Sequence, residues 1–275
     1  MSKSFVSVFA PHKFVPSIID NNLDFEKLWK TNQDFVFSSL SHIAYFHESK
    51  VKAYMKQLGA KNTKFYDEKG AQAFLSIWDD KAILSFRGTQ PIEGVGKHHH
   101  KLGFFRKLRI KYFWHLPLDP LSLIYLNNDI LADLKFIPTS FDNIEKVNVH
   151  SGFLGEINKI WSNIKTNIEK DVGNLPLYVT GHSLGGAMAT LAGMRHSFEK
   201  VTTFGEPRVG IHIEKAFKSN NHTRYVNGDD PVTKLPPELF FGYDHHGNPI
   251  HIADRDGETD LRYDHSIVYY SENLS

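Results

Sequence analysis

Cysteine is absent from all 275 residues, which excludes disulfides, thiol nucleophiles and thiolate metal sites together. Long apolar runs are missing too: nothing approaches the roughly 18 residues of a membrane-spanning helix. The stretch from Met1 to Val8 lacks the apolar block of a secretory signal. The expectation is a protein that is cytoplasmic or released by a route other than the Sec pathway, with peripheral membrane contact left open. Charge of one sign is scarce, since 32 Lys and Arg against 31 Asp and Glu leave a net charge of +1. That balance removes the electrostatic footprint of a nucleic-acid partner. With 41% apolar and 13% aromatic residues, the chain can bury a full core, and one domain over 1–275 is the expectation.

The most informative segment is Thr180-Gly181-His182-Ser183-Leu184-Gly185-Gly186. Before it, Leu175 to Val179 has the apolar, partly β-branched character of a buried strand; after it comes an Ala- and Gly-rich run to Gly193. A Gly-x-Ser-x-Gly between a strand and a helix is a sharp turn that lifts its serine clear of the backbone. The flanking positions must then lack bulky side chains so that strand and helix can pass closely. The hydroxyl would stand at the positive end of a helix beginning near Leu184, where developing negative charge is stabilised. This pattern points to a nucleophilic serine.

The surroundings suit that reading. One or two helices are expected between Leu23 and Leu58, and paired strands at 73–77 and 82–86 around the turn signal Asp79-Asp80. A further strand is expected at 147–149. Phe153, Ile157, Ile160, Trp161, Ile164 and Ile168 then recur at steps of three and four, which predicts a helix with one buried face. Strand 175–179, the helix from Leu184, strand 201–204, helix 211–218 and strand 223–226 alternate regularly. Alternation of this kind predicts an α/β fold with a mostly parallel central sheet and helices on both faces, whose sites gather at the carboxyl ends of strands.

A serine hydroxyl needs an imidazole to take its proton and a carboxylate to orient that imidazole. In α/β hydrolases the chain order is Ser, acid, His. Asp229 and Asp230 follow the strand ending at Val226, and His265 lies near the C-terminus. His245, His246 and His251 also follow the aspartates, and spacing alone does not choose among them. For the oxyanion, one N–H is expected from Leu184. The other is expected from an earlier strand end, and Ser85-Phe86-Arg87-Gly88-Thr89 offers one.

Taken in order, the segments Phe86-Arg87-Gly88-Thr89, Ala132-Asp133-Leu134, Val149 to Phe153, Gly181 to Ala187, Phe204-Gly205-Glu206-Pro207-Arg208-Val209-Gly210 and Val226 to Pro237 resemble the class 3 lipases. The similarity runs over roughly residues 70–270, and the elbow with the Gly-x-Pro-Arg-Val-Gly turn is its most specific part. The resemblance implies an α/β-hydrolase fold and a catalytic set of Ser183, Asp230 and His265, with Thr89 and Leu184 forming the oxyanion hole. It also implies that Tyr243-Asp244-His245-His246-Gly247 is structural, and that no cofactor is needed. The reaction implied is hydrolysis of carboxylic esters of lipids, of lipase or phospholipase A1 type, through an acyl-serine. A small-ester esterase and a catalytically silent lipid-surface module are the alternatives.

One departure from the family stands out. Residues 90–131 separate Thr89 from Ala132, where the family has only a short lid helix, and residues 97–114 carry six Lys or Arg, five aromatics and no acid. At helical spacing Phe104, Phe105, Leu108 and Tyr112 share one side. Residues 90–128 are therefore expected to be an enlarged lid or membrane-docking element that meets a lipid interface. A solvated covering flap is the competing expectation. No metal is expected: His98-His99-His100 cannot converge on one ion in regular structure, and the acids of 254–260 lack EF-hand spacing. Arg208 is expected to tie the elbow region together, and Trp161 to pack in the core. No oligomeric state is implied.

Overall fold

The computed structural model describes residues 11–89, 137–219, 221–236, 238, 242–253 and 261–275. Seven strands form one sheet in the order β1 (Asn62–Glu68), β2 (Ala71–Ile77), β3 (Ala82–Phe86), β6 (Leu177–His182), β7 (Lys200–Phe204), β9 (His222–Asn227) and β10 (Asn248–Ile252). β1, β2 and β3 are antiparallel neighbours. From β3 onward every pairing is parallel. A second, three-stranded antiparallel sheet joins β4 (Pro138–Ser140), β5 (Asn148–His150) and β8 (Gly210–Ile211).

Side chains alternate along an extended chain, so neighbouring residues of a central strand face opposite layers. Leu75 of β2, Leu84 of β3 and Val179 of β6 join one apolar layer, while Phe74 and Ile83 join the other. Both faces of the sheet need a helical cover. The first is supplied by α5 (Ser151–Asn167) and α6 (Leu184–Arg195). Phe153, Ile157, Ile160 and Ile164 form the buried stripe of α5, each contributing about 1.5–3 kcal/mol by burial. Trp161 is partly buried against the same layer.

The opposite face is covered by α2 (Phe25–Thr31), α3 (Gln33–Ile43) and α4 (Glu48–Gln57) from the N-terminal part, and by α8 (Ile267–Glu272) from the C-terminal part. Short helices α1 (Ser17–Asp20) and α7 (Leu261–Asp264) precede α2 and α8. Three helices thus stand in place of the one or two expected between Leu23 and Leu58. Asn32 makes the first division, because it ends α2 and its side-chain oxygen then caps α3 by accepting from the Phe35 N–H at 3.2 Å. His47, extended, makes the second.

The helix expected at 211–218 does not form. Ile211 belongs to β8, His212 adopts a left-handed φ of 56°, and only a single 3-10 turn, Ile213–Lys215, follows. Ladder bonding of Gly210 and Ile211 to β5 commits the segment before a helix can start. Among the described residues, no helix is long and apolar enough to cross a membrane.

Candidate active site

β6 ends at His182 and α6 begins at Leu184, leaving Ser183 alone in the turn with φ 58° and ψ −127°. A residue with a Cβ rarely adopts that conformation, and where it persists the surroundings hold it there. Here the Ser183 N–H is bonded to the Phe204 carbonyl at 2.9 Å. Strand and helix pass so closely that a Cβ on Gly181 would lie 2.2 Å from the Gly185 oxygen, and one on Gly185 would lie 2.4 Å from the Phe86 oxygen. Glycine at both flanks is a steric requirement of this elbow. Ser183 is also the N-cap of α6, so the Leu184 N–H belongs to the first turn, where no intrahelical carbonyl is available to it.

His265 comes from the junction of α7 and α8, at the far end of the chain. Its Nε2 lies 2.9 Å from Ser183 Oγ, and its Nδ1 lies 2.8 and 3.1 Å from the two oxygens of Asp230. The geometry places a proton on Nδ1, donated to the carboxylate, and leaves Nε2 to accept from the serine. Asp230 follows β9 and is fully buried. Its Oδ1 accepts from the Val232 N–H at 2.9 Å, and its Oδ2 accepts from the Tyr270 hydroxyl at 2.7 Å. A buried carboxylate is tolerable on those terms, with donors on both oxygens. Burial, and then the neighbouring Asp230, push the Tyr270 phenol well above its ordinary pKa, so it stays a donor.

The other imidazoles and acids have different partners. His245 Nε2 bonds to the Thr233 carbonyl at 2.8 Å and so braces the turn after Asp230. His246 Nδ1 lies 3.2 Å from His222 Nδ1, and His251 is exposed on β10. Asp229 faces Lys234 at 3.6 Å. Arg208 donates to the carbonyls of Lys234 and Pro236, tying the turn after β7 to the loop after Asp230. Thr89 is half-buried just beyond β3, in a loop whose first residues pack on Gly185 of α6. Phe104, Phe105, Leu108 and Tyr112, the rest of the insertion 90–128, His98 to His100, Ala132 to Leu134 and the acidic run 254–260 lie outside the described residues.

A second buried carboxylate sits one residue beyond Gly205. Glu206 accepts from the hydroxyls of Thr190 and Thr203, both at 2.6 Å, and lies 3.4 Å from His222 Nε2. Among the described residues, no group of three or more His, Asp or Glu is arranged to hold a metal ion. Sequence reasoning missed Tyr270 altogether. A tyrosine near the end of an apolar segment reads as core, and nothing local marks its hydroxyl as a partner of Asp230.

The family described as "Lipase (class 3)" matches residues 126–240. A lipase of Rhizomucor miehei is 34% identical over 144 residues, covering 47% of this chain and 39% of that protein. The secreted mono- and diacylglycerol lipase 1 of Fusarium solani is 35% identical over 125 residues, covering 42% and 37%. The matched segment thus spans less than half the length of these curated relatives. The fold is also that of the Rhizomucor miehei triacylglyceride lipase, with a TM-score of 0.58 at 22% identity over 82% of this chain and 81% of that one. With the elbow, the mostly parallel sheet covered on both faces and these matches in hand, the chain has the α/β-hydrolase fold and is similar to the class 3 lipases over residues 126–240.

Proposed function

We propose that this protein hydrolyses carboxylic esters of lipids, with Ser183, His265 and Asp230 as its catalytic residues and Thr89 and Leu184 as its oxyanion donors. The single observation that carries the reading is the unbroken hydrogen-bonded line from the Asp230 carboxylate through the His265 imidazole to the hydroxyl of an elbow serine. Ser183 Oγ adds to the acyl carbonyl as His265 Nε2 takes its proton. The imidazolium is stabilised by Asp230, and the carbonyl oxygen gains its charge beside the N–H groups of Leu184 and Thr89. Return of the proton to the ester oxygen expels the alcohol and leaves an acyl-serine. Water, activated by the same imidazole, then releases the fatty acid.

Two observations support a lipid as the substrate. The relatives named above act on acylglycerols by name, and residues 97–114 combine basic and aromatic side chains suited to an anionic lipid surface. In this reading the insertion 90–128 is the lid or membrane-docking element through which the protein meets a lipid interface. A fluorophosphonate probe should label the wild-type chain and leave Ser183→Ala unlabelled; a folded wild type that takes no label overturns the reading in favour of a silent module. Graded p-nitrophenyl esters, phosphatidylglycerol vesicles and a triglyceride emulsion then sort the substrate class. Activity confined to short soluble esters identifies a small-ester esterase instead.

A further inference from the structure

His182, inside the elbow motif, is buried with its ring centroid 4.7 Å from that of His265. It is bonded at both nitrogens. Nδ1 lies 2.7 Å from the hydroxyl of Tyr45, and Nε2 lies 3.0 Å from the backbone carbonyl of His265. A carbonyl only accepts, so Nε2 carries the proton and Nδ1 accepts from the phenol. Burial, and then the closeness of His265, hold the His182 pKa well below its ordinary value, which keeps the ring neutral.

Tyr45 reaches a second partner. Its phenol oxygen packs against the backbone of Gly88, so close that a Cβ on Gly88 would lie 2.1 Å from that oxygen and 2.7 Å from the His182 carbonyl. Gly88 directly precedes Thr89. Tyr45 itself is fixed from behind, because Gln72 donates to the carbonyls of Ala44 and Phe46 at 2.7 and 2.9 Å, and Arg87 donates to Gln72 Oε1 at 2.6 Å. The turn that ends α3, the loop after β3, the elbow and the His265 backbone are therefore joined by one line of directional bonds.

We propose that Tyr45 and His182 are positioning residues for the reaction, tying the oxyanion loop at Gly88 to the backbone of His265 so that oxyanion donors and base keep one register. This inference rests on the hydrolase reading above. Register matters because an oxyanion donor is effective only within hydrogen-bonding distance of where the charge develops, while the base must at the same moment face the serine. A hydroxyl is required at 45, since it donates to His182 Nδ1 while its oxygen fills the space left beside Gly88. Any loss should appear in the transition state, and hence in kcat rather than KM.

The test uses two single variants and their combination on the full chain. Tyr45→Phe removes the hydroxyl that bonds His182 and packs on Gly88. His182→Asn keeps an acceptor near the Nδ1 position but loses the donor to the His265 carbonyl. Each is expected to lower kcat about tenfold, with KM and melting temperature nearly unchanged. The double variant should be no worse than the poorer single, because both cut the same line. Wild-type kcat in either folded variant, losses that multiply in the double, or losses that only follow the unfolded fraction would overturn the proposal. A readout without turnover separates it from the hydrolase reading: nitrogen-15 spectra of the histidines should show His182 neutral and protonated at Nε2 in the wild type. In Tyr45→Phe that tautomer preference should weaken. A His182 protonated at Nδ1 in the wild type sinks the proposal even in an active enzyme, whereas absence of labelling with the expected tautomer counts against the hydrolase reading alone.

Discussion

Two buried carboxylate–imidazole pairs stand on either side of a single peptide link, and only one of them meets the hydroxyl of an elbow serine. A Cβ on Gly205 would lie 2.7 Å from Asp230 Oδ2 and 3.0 Å from His265, and Glu206 is the next residue. Asp230 holds His265, whose outer nitrogen meets Ser183. Glu206 holds His222, whose outer nitrogen meets His246, a half-buried ring stacked on Phe217 at 3.7 Å. Threonine hydroxyls are present at the second pair, but both donate to the carboxylate itself. Thr190 and Thr203 lie within regular helix and strand, whereas Ser183 is held at a positive φ beside the start of α6. A buried acid and an imidazole are thus a common structural brace. Chemistry requires in addition a hydroxyl presented by a strained turn at a helix N-terminus.

The sharpest way to break this contrast is to remove the outer partner of each pair. Ser183→Ala or His265→Ala should lower kcat by about 10³-fold or more while leaving the melting temperature close to the wild-type value. His222→Asn should do the reverse, costing stability with only a few-fold change in turnover per folded molecule. Equal losses of turnover from His222→Asn and His265→Ala would erase the distinction.

Next in size is Tyr270→Phe, which withdraws the hydroxyl from Asp230 Oδ2 and leaves that oxygen bonded to His265 alone of the partners described above. A hydrogen bond to a charged group is worth about 1.5–3 kcal/mol. Its loss divides between ground state and transition state, and kcat is expected to fall about tenfold with little change in KM. Steady-state kinetics beside a thermal melt checks this; an unchanged kcat would show that Val232 N–H and His265 suffice to hold the carboxylate.

How much of this was legible beforehand follows from where each signal resides. The elbow could be read because its strand, its two glycines and its helix are contiguous, and α5 because its apolar stripe repeats within one helix. The edge strands β1 and β10 escaped notice: most of their residues are at least partly exposed, so no apolar alternation marks them. The helix expected at 211–218 fails because only Ile213, Ala216 and Phe217 have helical spacing, while Ile211 just before them is committed to the small sheet. Four histidines follow Asp230, and which one meets Ser183 depends on how the last helices return across the sheet. Tyr45 and His182 touch across 137 residues, and Tyr270 and Asp230 across 40. Contacts of that range leave no local pattern, and here only the family resemblance separated His265 from its rivals.

The smallest effect expected is the pH response of the brace. Burial alone would raise the Glu206 pKa, but the His222 hydrogen bond and the positive field of His222, His245 and Arg224 outweigh it, so the carboxyl lies below its ordinary value. A folded-state pKa depressed below the unfolded one gives stability that is present above the unfolded value, about 4.3, and lost as pH falls through the folded value. Glu206→Gln deletes that titration. It keeps an acceptor for one threonine and should cost about 1–3 kcal/mol at neutral pH, since the amide nitrogen only donates and cannot accept from the other. Turnover per folded molecule should stay near the wild-type level, because Glu206 is held by Thr190, Thr203 and His222 rather than by Ser183, His265 or Asp230. Denaturant melts at neutral pH and again below pH 4 check the sign: the gap between wild type and Glu206→Gln should narrow as the acid range is entered. A gap that widens there would mean that Glu206 is held protonated in the fold, and that the second pair is a neutral hydrogen-bond cluster rather than an ionic counterpart of the first.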